Sequence, residues 1–296
     1  MFVPLLVGTI VAVAAGIAVG LLFGHSPKET FFFVIIPIVG GGLAEGVLPL
    51  SIAYSEMLHR SQAELVAQMV PAALLGNVVA IVSAGLLARL GEMRADLNGR
   101  GMLVKTGDDD ILGEARPDRP IDLGLLGAGM VLSCGLFVLG MVLAPLTGIP
   151  GPIMMIIAAV ALKLTRLLPA EMELGAYQIN KFMSTNLTFA ILVAMGTLLV
   201  SWQQLVASFN PGYIMICTTT VLAMIVSGFF VGKWLNMYPV EAAIVTACHS
   251  GLGGTGDVAI LGAADRMGLM AFAQIATRVG GAIMIVTATL LMKSLS

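Results

Sequence analysis

The segment SGLGGTGDVAIL, Ser250 to Leu261, sets Gly251, Gly253, Gly254 and Gly256 beside Ser250, Thr255 and Asp257 in the middle of apolar sequence. Further on, Arg278 stands inside the run AFAQIATRVGGAIMIVTATLLM, residues 271–292, which is otherwise suited to lipid. A glycine-rich polar stretch cannot continue a helix without a large propensity cost. At membrane depth such backbone persists only when it is buried in protein or lines a wet cavity. Whether Ser250 to Leu261 is a surface loop or a break inside a membrane element therefore decides the fold.

The rest of the chain favours the break. Hydrophobic residues make up 58% of its 296 positions and charged residues 11%, and the mean hydropathy is +0.99, outside the range of ordinary soluble domains. Apolar runs of about 18 to 25 residues match the length a helix needs to cross a bilayer core of roughly 30 Å. Alternating strand-like segments are absent, so a barrel is not expected. The fold class is an all-α integral membrane protein.

Spanning helices are predicted at 3–24, 65–90, 122–145, 150–168, 183–200, 211–233 and 271–293. The first has no Lys or Arg before it and is too long for the apolar part of a signal peptide. Two further apolar stretches, 30–57 and 238–269, are interrupted by GGGLAEG (Gly40 to Gly46) and by GLGGTG (Gly251 to Gly256). Both read as re-entrant helical hairpins, the alternative being loops that reach the water surface.

Along this path Arg89, Arg94, Arg100, Lys105, Arg116, Arg119, Lys163, Arg166, Lys181 and Lys233 fall on one side, and Lys28, Arg60 and Lys293 on the other. The first side is cytoplasmic by the positive-inside rule, which places the N-terminus inside and the C-terminus outside a cytoplasmic (inner) membrane. Trp202 and Trp234 suit interfacial anchors. The hydrophilic segment 91–121 is a cytoplasmic connector, and its Asp108 to Asp110 run reads as a solvated turn. An odd number of crossings separates the hairpins, so they enter from opposite faces, the signature of an inverted repeat. The domains are then 1–90, the C-terminal part of a first repeat with hairpin 30–57; the connector; and 122–296, a second repeat with hairpin 238–269.

Half-helix N-termini suit carboxylates and unwound carbonyls suit a small cation. Arg278, with Gln274, Thr277 and Gly281 at helical spacing, forms one polar face. Its fork would grip a carboxylate, or else pair with Asp257 or Asp265. Asp265 and Arg266 read as interfacial, pairing locally. Glu45 is a cation- or proton-binding candidate, or it faces an aqueous vestibule. His249 reads as structural, while Asn77 and Asn186 read as helix-contact amides. The methionines, Met154 and Met155 included, are apolar filler. Cys134, Cys217 and Cys248 show no metal or disulfide spacing, no organic cofactor is indicated, and the net charge of −2 suggests no nucleic-acid partner.

GGGLAEGVLPLS (Gly40 to Ser51) and SGLGGTGDVAILGAADRMGLMAFAQIATRVGG (Ser250 to Gly281) resemble the paired glycine-rich hairpins of the 2-hydroxycarboxylate transporter family. The resemblance implies two inverted five-helix repeats, a homodimer and an elevator motion. It also implies about four further helices ahead of this chain. It assigns substrate contacts to Arg278, Gly254, Thr255, Leu43, Ala44 and Gln274, and sodium, with a proton as the alternative, to Ser250, Thr255 and Asp257. Citrate carriers of the family have a second arginine where Leu252 stands and Asn-Gly where Leu43 and Ala44 stand.

A tricarboxylate lacking that arginine would be poorly matched in a low-dielectric cavity. The expected activity is sodium-coupled symport of a small 2-hydroxycarboxylate such as malate, lactate or citrate. Two alternatives stay open, a truncated non-transporting fragment or subunit, and an intramembrane enzyme. No HExxH, GxSxG or Ser/His/Asp set supports the enzyme.

Overall fold

The computed structural model describes residues 2–105, 122–147, 149, 151–187, 190, 193–194, 203, 206 and 210–295. Of Ala44, Ser184 and Thr185 it describes only the backbone. Its regular elements are helices: α1 (Phe2–Leu22), α2 (27–39), α3 (43–58), α4 (Gln62–Met93), α5 (Leu123–Thr147), α6 (Gly151–Leu164), α7 (Ala170–Phe182), α8 (Pro211–Trp234), α9 (Pro239–Cys248), α10 (Gly254–Ala263) and α11 (Met267–Leu295). Among the described residues, five of these, α1, α4, α5, α8 and α11, are long and apolar enough to cross a membrane. Large apolar side chains stand exposed along them, including Leu6 and Ile10 on α1, Val131 and Val138 on α5, and Val226 and Phe230 on α8. A water-soluble monomer does not carry apolar surface on this scale. The chain is a multi-pass integral membrane protein.

Local chemistry starts the helices where the sequence offers caps. Ser61 Oγ accepts a hydrogen bond from the Glu64 amide at 3.3 Å to open α4, and Asn210 Oδ1 accepts one from the Tyr213 amide at 2.8 Å to open α8, with Pro211 in the first turn. Small residues then set how closely the helices pack. On α1 the buried face runs Gly8, Ala12, Gly16 and Gly20 at a four-residue interval. A methyl group added at Gly16 would lie 2.8 Å from Ile35 Cδ1, and one at Gly20 would lie 2.8 Å from Thr30 Oγ1. A stripe of glycine and alanine is what lets α8 and α2 approach the α1 backbone. The same device joins α5 to its neighbours: Gly129 lies against the Gly175 backbone of α7, and Gly140 lies against Gly151 and Met155 of α6.

The two glycine-interrupted stretches fold as pairs of helices. α2 and α3 are separated at residues 40–42, and α9 and α10 at residues 249–253. At 1.5 Å per residue, α9 and α10, 10 residues each, are about 15 Å long, half the bilayer core. The hydrophobic core gathers around these pairs, with Ile35, Ile36, Ile38 and Val39 from one and Ile244, Val245, Ala247 and Cys248 from the other.

Some expected boundaries shift. The crossing predicted at 150–168 is the 14-residue α6, followed by Pro169 and an unpredicted α7 whose sequence AEMELGAYQINKF is amphipathic. The helix stops at Leu164, where Arg166 turns into the left-handed region at φ 54, so the expected span is shortened at its end, and α7 begins beyond it, after Pro169. The crossing predicted at 183–200 begins with the helical turn Met183–Leu187, and its remainder falls largely outside the described residues, as do Trp202 and Asp108 to Asp110.

The beginning of the connector is built into the second helix pair. Glu241, fully buried in the first turn of α9, accepts hydrogen bonds from the amides of Gly99 at 2.8 Å and Gly101 at 3.4 Å, and pairs with Arg266 at 3.3 Å. Arg266 also donates to Asn98 Oδ1 at 3.0 Å and to the Asp265 carbonyl at 2.9 Å. Val104 bridges Met237, and Leu103 is buried. Contrary to the expected local pairing, Arg266 thus pairs with Glu241 at the base of the opposite half-helix. A buried carboxylate that accepts two backbone amides and a guanidinium has its charge offset on each side.

Candidate functional site at the junction of the two glycine-rich loops

The two loops lie against each other. Gly42 and Gly253 immediately precede α3 and α10, and both adopt a backbone conformation reserved for glycine, with φ 98, ψ −163 at Gly42 and φ 75, ψ −153 at Gly253. A methyl group at Gly42 would overlap the Leu252 backbone and lie 2.6 Å from the Gly253 nitrogen. One at Gly253 would lie 3.2 Å from the Gly41 carbonyl oxygen and 3.6 Å from Glu45 Oε2. One at Gly281 would lie 3.0 Å from the Gly40 carbonyl oxygen. The loops and α11 therefore meet backbone to backbone, which only glycine permits.

Each loop delivers a helix start to this junction. The first intrahelical acceptor of α3 is the Gly42 carbonyl, bonded by Gly46 and Val47 at 3.0 and 2.9 Å, and that of α10 is the Gly253 carbonyl, bonded by Asp257 at 2.9 Å. The amides ahead of those donors, Leu43 to Glu45 and Gly254 to Gly256, are first-turn donors that helical bonding does not use. Such amides together with the helix dipole favour an anion. The Leu43 side chain is buried in the core, so Leu43 can serve a ligand only through its backbone. Asn77 on α4 fixes the second loop, its Oδ1 accepting the Leu252 amide at 3.2 Å.

Asp257 is fully buried, and its Oδ1 lies 3.0 Å from the Thr277 hydroxyl, while its Oδ2 has no hydrogen-bond partner among the described residues. Thr277 Oγ1 is also 3.2 Å from the Cys248 carbonyl, so α9, α10 and α11 converge on it. Here α11 widens into a π-helical turn, Ala276–Gly280, a distortion that often accompanies functional positions. The Ser250 hydroxyl donates to the Ala247 carbonyl at 2.7 Å, and the Thr255 hydroxyl lies 3.5 Å from the Leu252 carbonyl. Ser250 is therefore committed as a donor at the end of α9, with its oxygen lone pairs left over.

The polar face expected on α11 is divided. Thr277 is buried, Gly281 packs on the first loop, and Arg278 is exposed, its Nη2 donating to Asn180 Oδ1 of α7 at 3.0 Å. Arg278 makes no ion pair with Asp257 or Asp265 among the described residues. Gln274 completes this side, its amide nitrogen 3.9 Å from where a Cβ at Gly254 would lie. Of the residues singled out from sequence, the junction brings together Gly254, Thr255, Asp257, Glu45, Gln274 and Arg278. Asn77, Asn180 and Thr277 are added by the structure. His249 is buried against Gly280, and Asn186 is exposed, donating to the Phe182 carbonyl at 3.0 Å.

Paired broken helices whose glycine loops abut near an arginine and a buried aspartate supply the groups that suit an anion and a cation. The 2-hydroxycarboxylate transporter family sequence model matches residues 1–290, and the chain belongs to that family. It is 52% identical over 294 residues to the Na(+)-malate symporter of Bacillus subtilis, covering 99% of this chain and 66% of that protein. It is 43% identical to the citrate/malate-proton symporter of the same organism, covering 99% and 65%. To the citrate/sodium symporter of Salmonella typhimurium it is 32% identical, covering 98% and 67%. The chain thus spans about two thirds of the length of these relatives.

Proposed function

We propose that this chain carries the substrate site of a sodium-coupled symporter for a small 2-hydroxycarboxylate, malate being the best match. The observation that supports it most is the loop junction itself, where two sets of first-turn amides and the unpartnered Asp257 Oδ2 come together, with Arg278 next in sequence to the Thr277 that bonds Asp257. Arg278 would leave Asn180 to grip a substrate carboxylate, with Gln274, the backbone of Leu43, Ala44 and Gly254, and Thr255 supplying further contacts. Asp257, Thr255 and Ser250 would hold sodium. Leu252 stands at the junction where citrate carriers of the family have an arginine, which favours a dicarboxylate over a tricarboxylate.

In this reading the α2–α3 and α9–α10 pairs are re-entrant hairpins entering from opposite faces of the membrane. Seven crossings accompany them, in an inverted repeat with the N-terminus cytoplasmic. A homodimeric scaffold and an elevator movement complete it. Neutralising the anion with bound cations is what lets a charged cargo move through low dielectric. The chain is read as a transporter, with catalysis given no role.

Proteoliposomes holding the purified chain test this. Inward sodium gradients are expected to drive accumulation of labelled malate above the sodium-free level, with unlabelled malate competing better than citrate. Equal accumulation with and without the gradient would overturn sodium coupling, and citrate competing better than malate would overturn the substrate assignment.

A further inference from the structure

His249 is the buried polar side chain that the proposed roles leave unused. It follows the last residue of α9 and is fully buried. Its ring fills the space left by the missing side chain of Gly280, where a methyl group would lie 2.6 Å from His249 Cε1 and 3.1 Å from Nδ1. Both ring nitrogens are without a hydrogen-bond partner among the described residues. The Ala276 backbone lies beside the ring, but its carbonyl can only accept. A neutral imidazole carries one N–H donor and one acceptor nitrogen, so that carbonyl would still leave the acceptor unmet. A buried acceptor without a donor is costly, and groups of this kind point to something bound from outside the chain.

The ring lies at the floor of a groove of about 670 Å³ between α1 and α11, which Phe31 of α2 also lines. Leu5, Gly280 and His249 are its buried part, while Leu6 and Ile10 of α1 and Ile283 of α11 form an exposed rim. Those rim residues stand on spanning helices, so the groove opens towards lipid hydrocarbon. Its volume falls in the range of about 300–1,000 Å³ typical of small-ligand sites. Among the described residues no Lys, Arg, Asp or Glu lines it, so an ionised head group would be unpaired in low dielectric. Water suits it no better, since a buried water needs about 2–4 polar partners. The Thr9 hydroxyl is already donated to the Leu5 carbonyl at 2.9 Å, and Thr287 is exposed on the rim. An alkyl chain matches the walls and leaves the nitrogen unmet; a chain that ends in a hydroxyl matches both. We infer that this groove binds a long-chain amphiphile with an uncharged hydroxyl head, drawn from the bilayer, its hydroxyl donating to His249. His249 runs directly into Ser250, so the occupant sits against the second loop from the lipid side.

Photolabelling of the chain in phospholipid nanodiscs tests this, with a hexadecanol probe bearing a diazirine in its alkyl chain and mass-spectrometric mapping of the modified residues. Modification is expected on the groove-lining turns of α1 and α11. Unlabelled hexadecanol is expected to compete about tenfold or more better than hexadecane, the preference that one hydrogen bond to a buried, otherwise unmet acceptor provides. Palmitate, ionised in alkaline buffer, should compete no better than the alkane. His249→Phe keeps an aromatic ring and lacks the acceptor, so the alcohol should lose its advantage. Leu6→Trp fills the rim and should lower modification while His249 is intact. Thermal unfolding without probe checks both variants, and if His249→Phe fails to fold, the wild-type competition and Leu6→Trp carry the test. Equal competition by hexadecanol and hexadecane in the wild type overturns the site, as does modification spread evenly over the lipid-facing helices. Palmitate competing as well as the alcohol overturns the uncharged head, and a folded His249→Phe that keeps the preference overturns the part given to His249.

Discussion

Replacing Arg278 with alanine is expected to weaken sodium-dependent malate binding by about 100-fold or more while leaving the fold intact. Removing one partner from a desolvated, hydrogen-bonded charge pair costs about 2–5 kcal/mol, and in the proposed site Arg278 is the cation that turns from Asn180 to the substrate carboxylate. The same substitution removes only one hydrogen bond to Asn180 from an exposed side chain, so thermal unfolding should move little. Arg278→Lys should fall between, because an ammonium keeps the charge and loses the planar fork that meets a carboxylate with two parallel bonds. Isothermal titration of the three proteins with malate separates these cases. Equal affinity in wild type and Arg278→Ala would remove the arginine from the site.

The second large effect is expected at Gly42. Alanine there would carry a side chain at φ 98, where non-glycine residues cost about 1–3 kcal/mol. Its methyl would also intrude on Leu252 and Gly253 of the other loop, adding about 1–3 kcal/mol of overpacking. Neither neighbour is the end of a flexible side chain, so the loops must separate. Gly42→Ala should therefore lower the unfolding temperature and abolish malate binding together. Gly262→Ala is the matched control, since an added methyl in that part of α10 meets nothing within 4 Å. Thermal unfolding of the two variants checks the contrast, and equal stability would mean that the loops are not in backbone contact.

Composition and run length were enough to read the membrane class, because a bilayer demands long apolar helices whatever the partner. The glycine clusters at Gly40–Gly42 and Gly251–Gly254 marked the helix breaks for the same reason. What the sequence left open was tertiary. Periodicity grouped Arg278 and Thr277 with Gln274 and Gly281, yet neighbours in a helix point about 100° apart, and in the π-helical turn Ala276–Gly280 Thr277 is directed inward to Asp257 and Arg278 outward to Asn180. A single extra residue per turn is not visible in hydrophobic spacing.

Asn77 is separated from Leu252, and Glu241 from Gly99 and Gly101, by more than a hundred residues, so only the folded chain shows one fixing the second loop and the other clasping those two amides. Asn77 did carry a signal, as a lone amide in an apolar helix, but that signal fits a helix contact equally well. Pro169 stands immediately before α7, yet that amphipathic helix packs through Gly175 in a way its own sequence does not announce.

The central claim is that one junction binds an anion and a cation whose affinities depend on each other. Measuring the dissociation constant of malate on the purified chain across a series of sodium concentrations tests it most directly. The account predicts that malate affinity rises with sodium, and that sodium affinity rises by the same factor with malate, as linkage requires. Malate affinity that stays constant from zero to saturating sodium would contradict it.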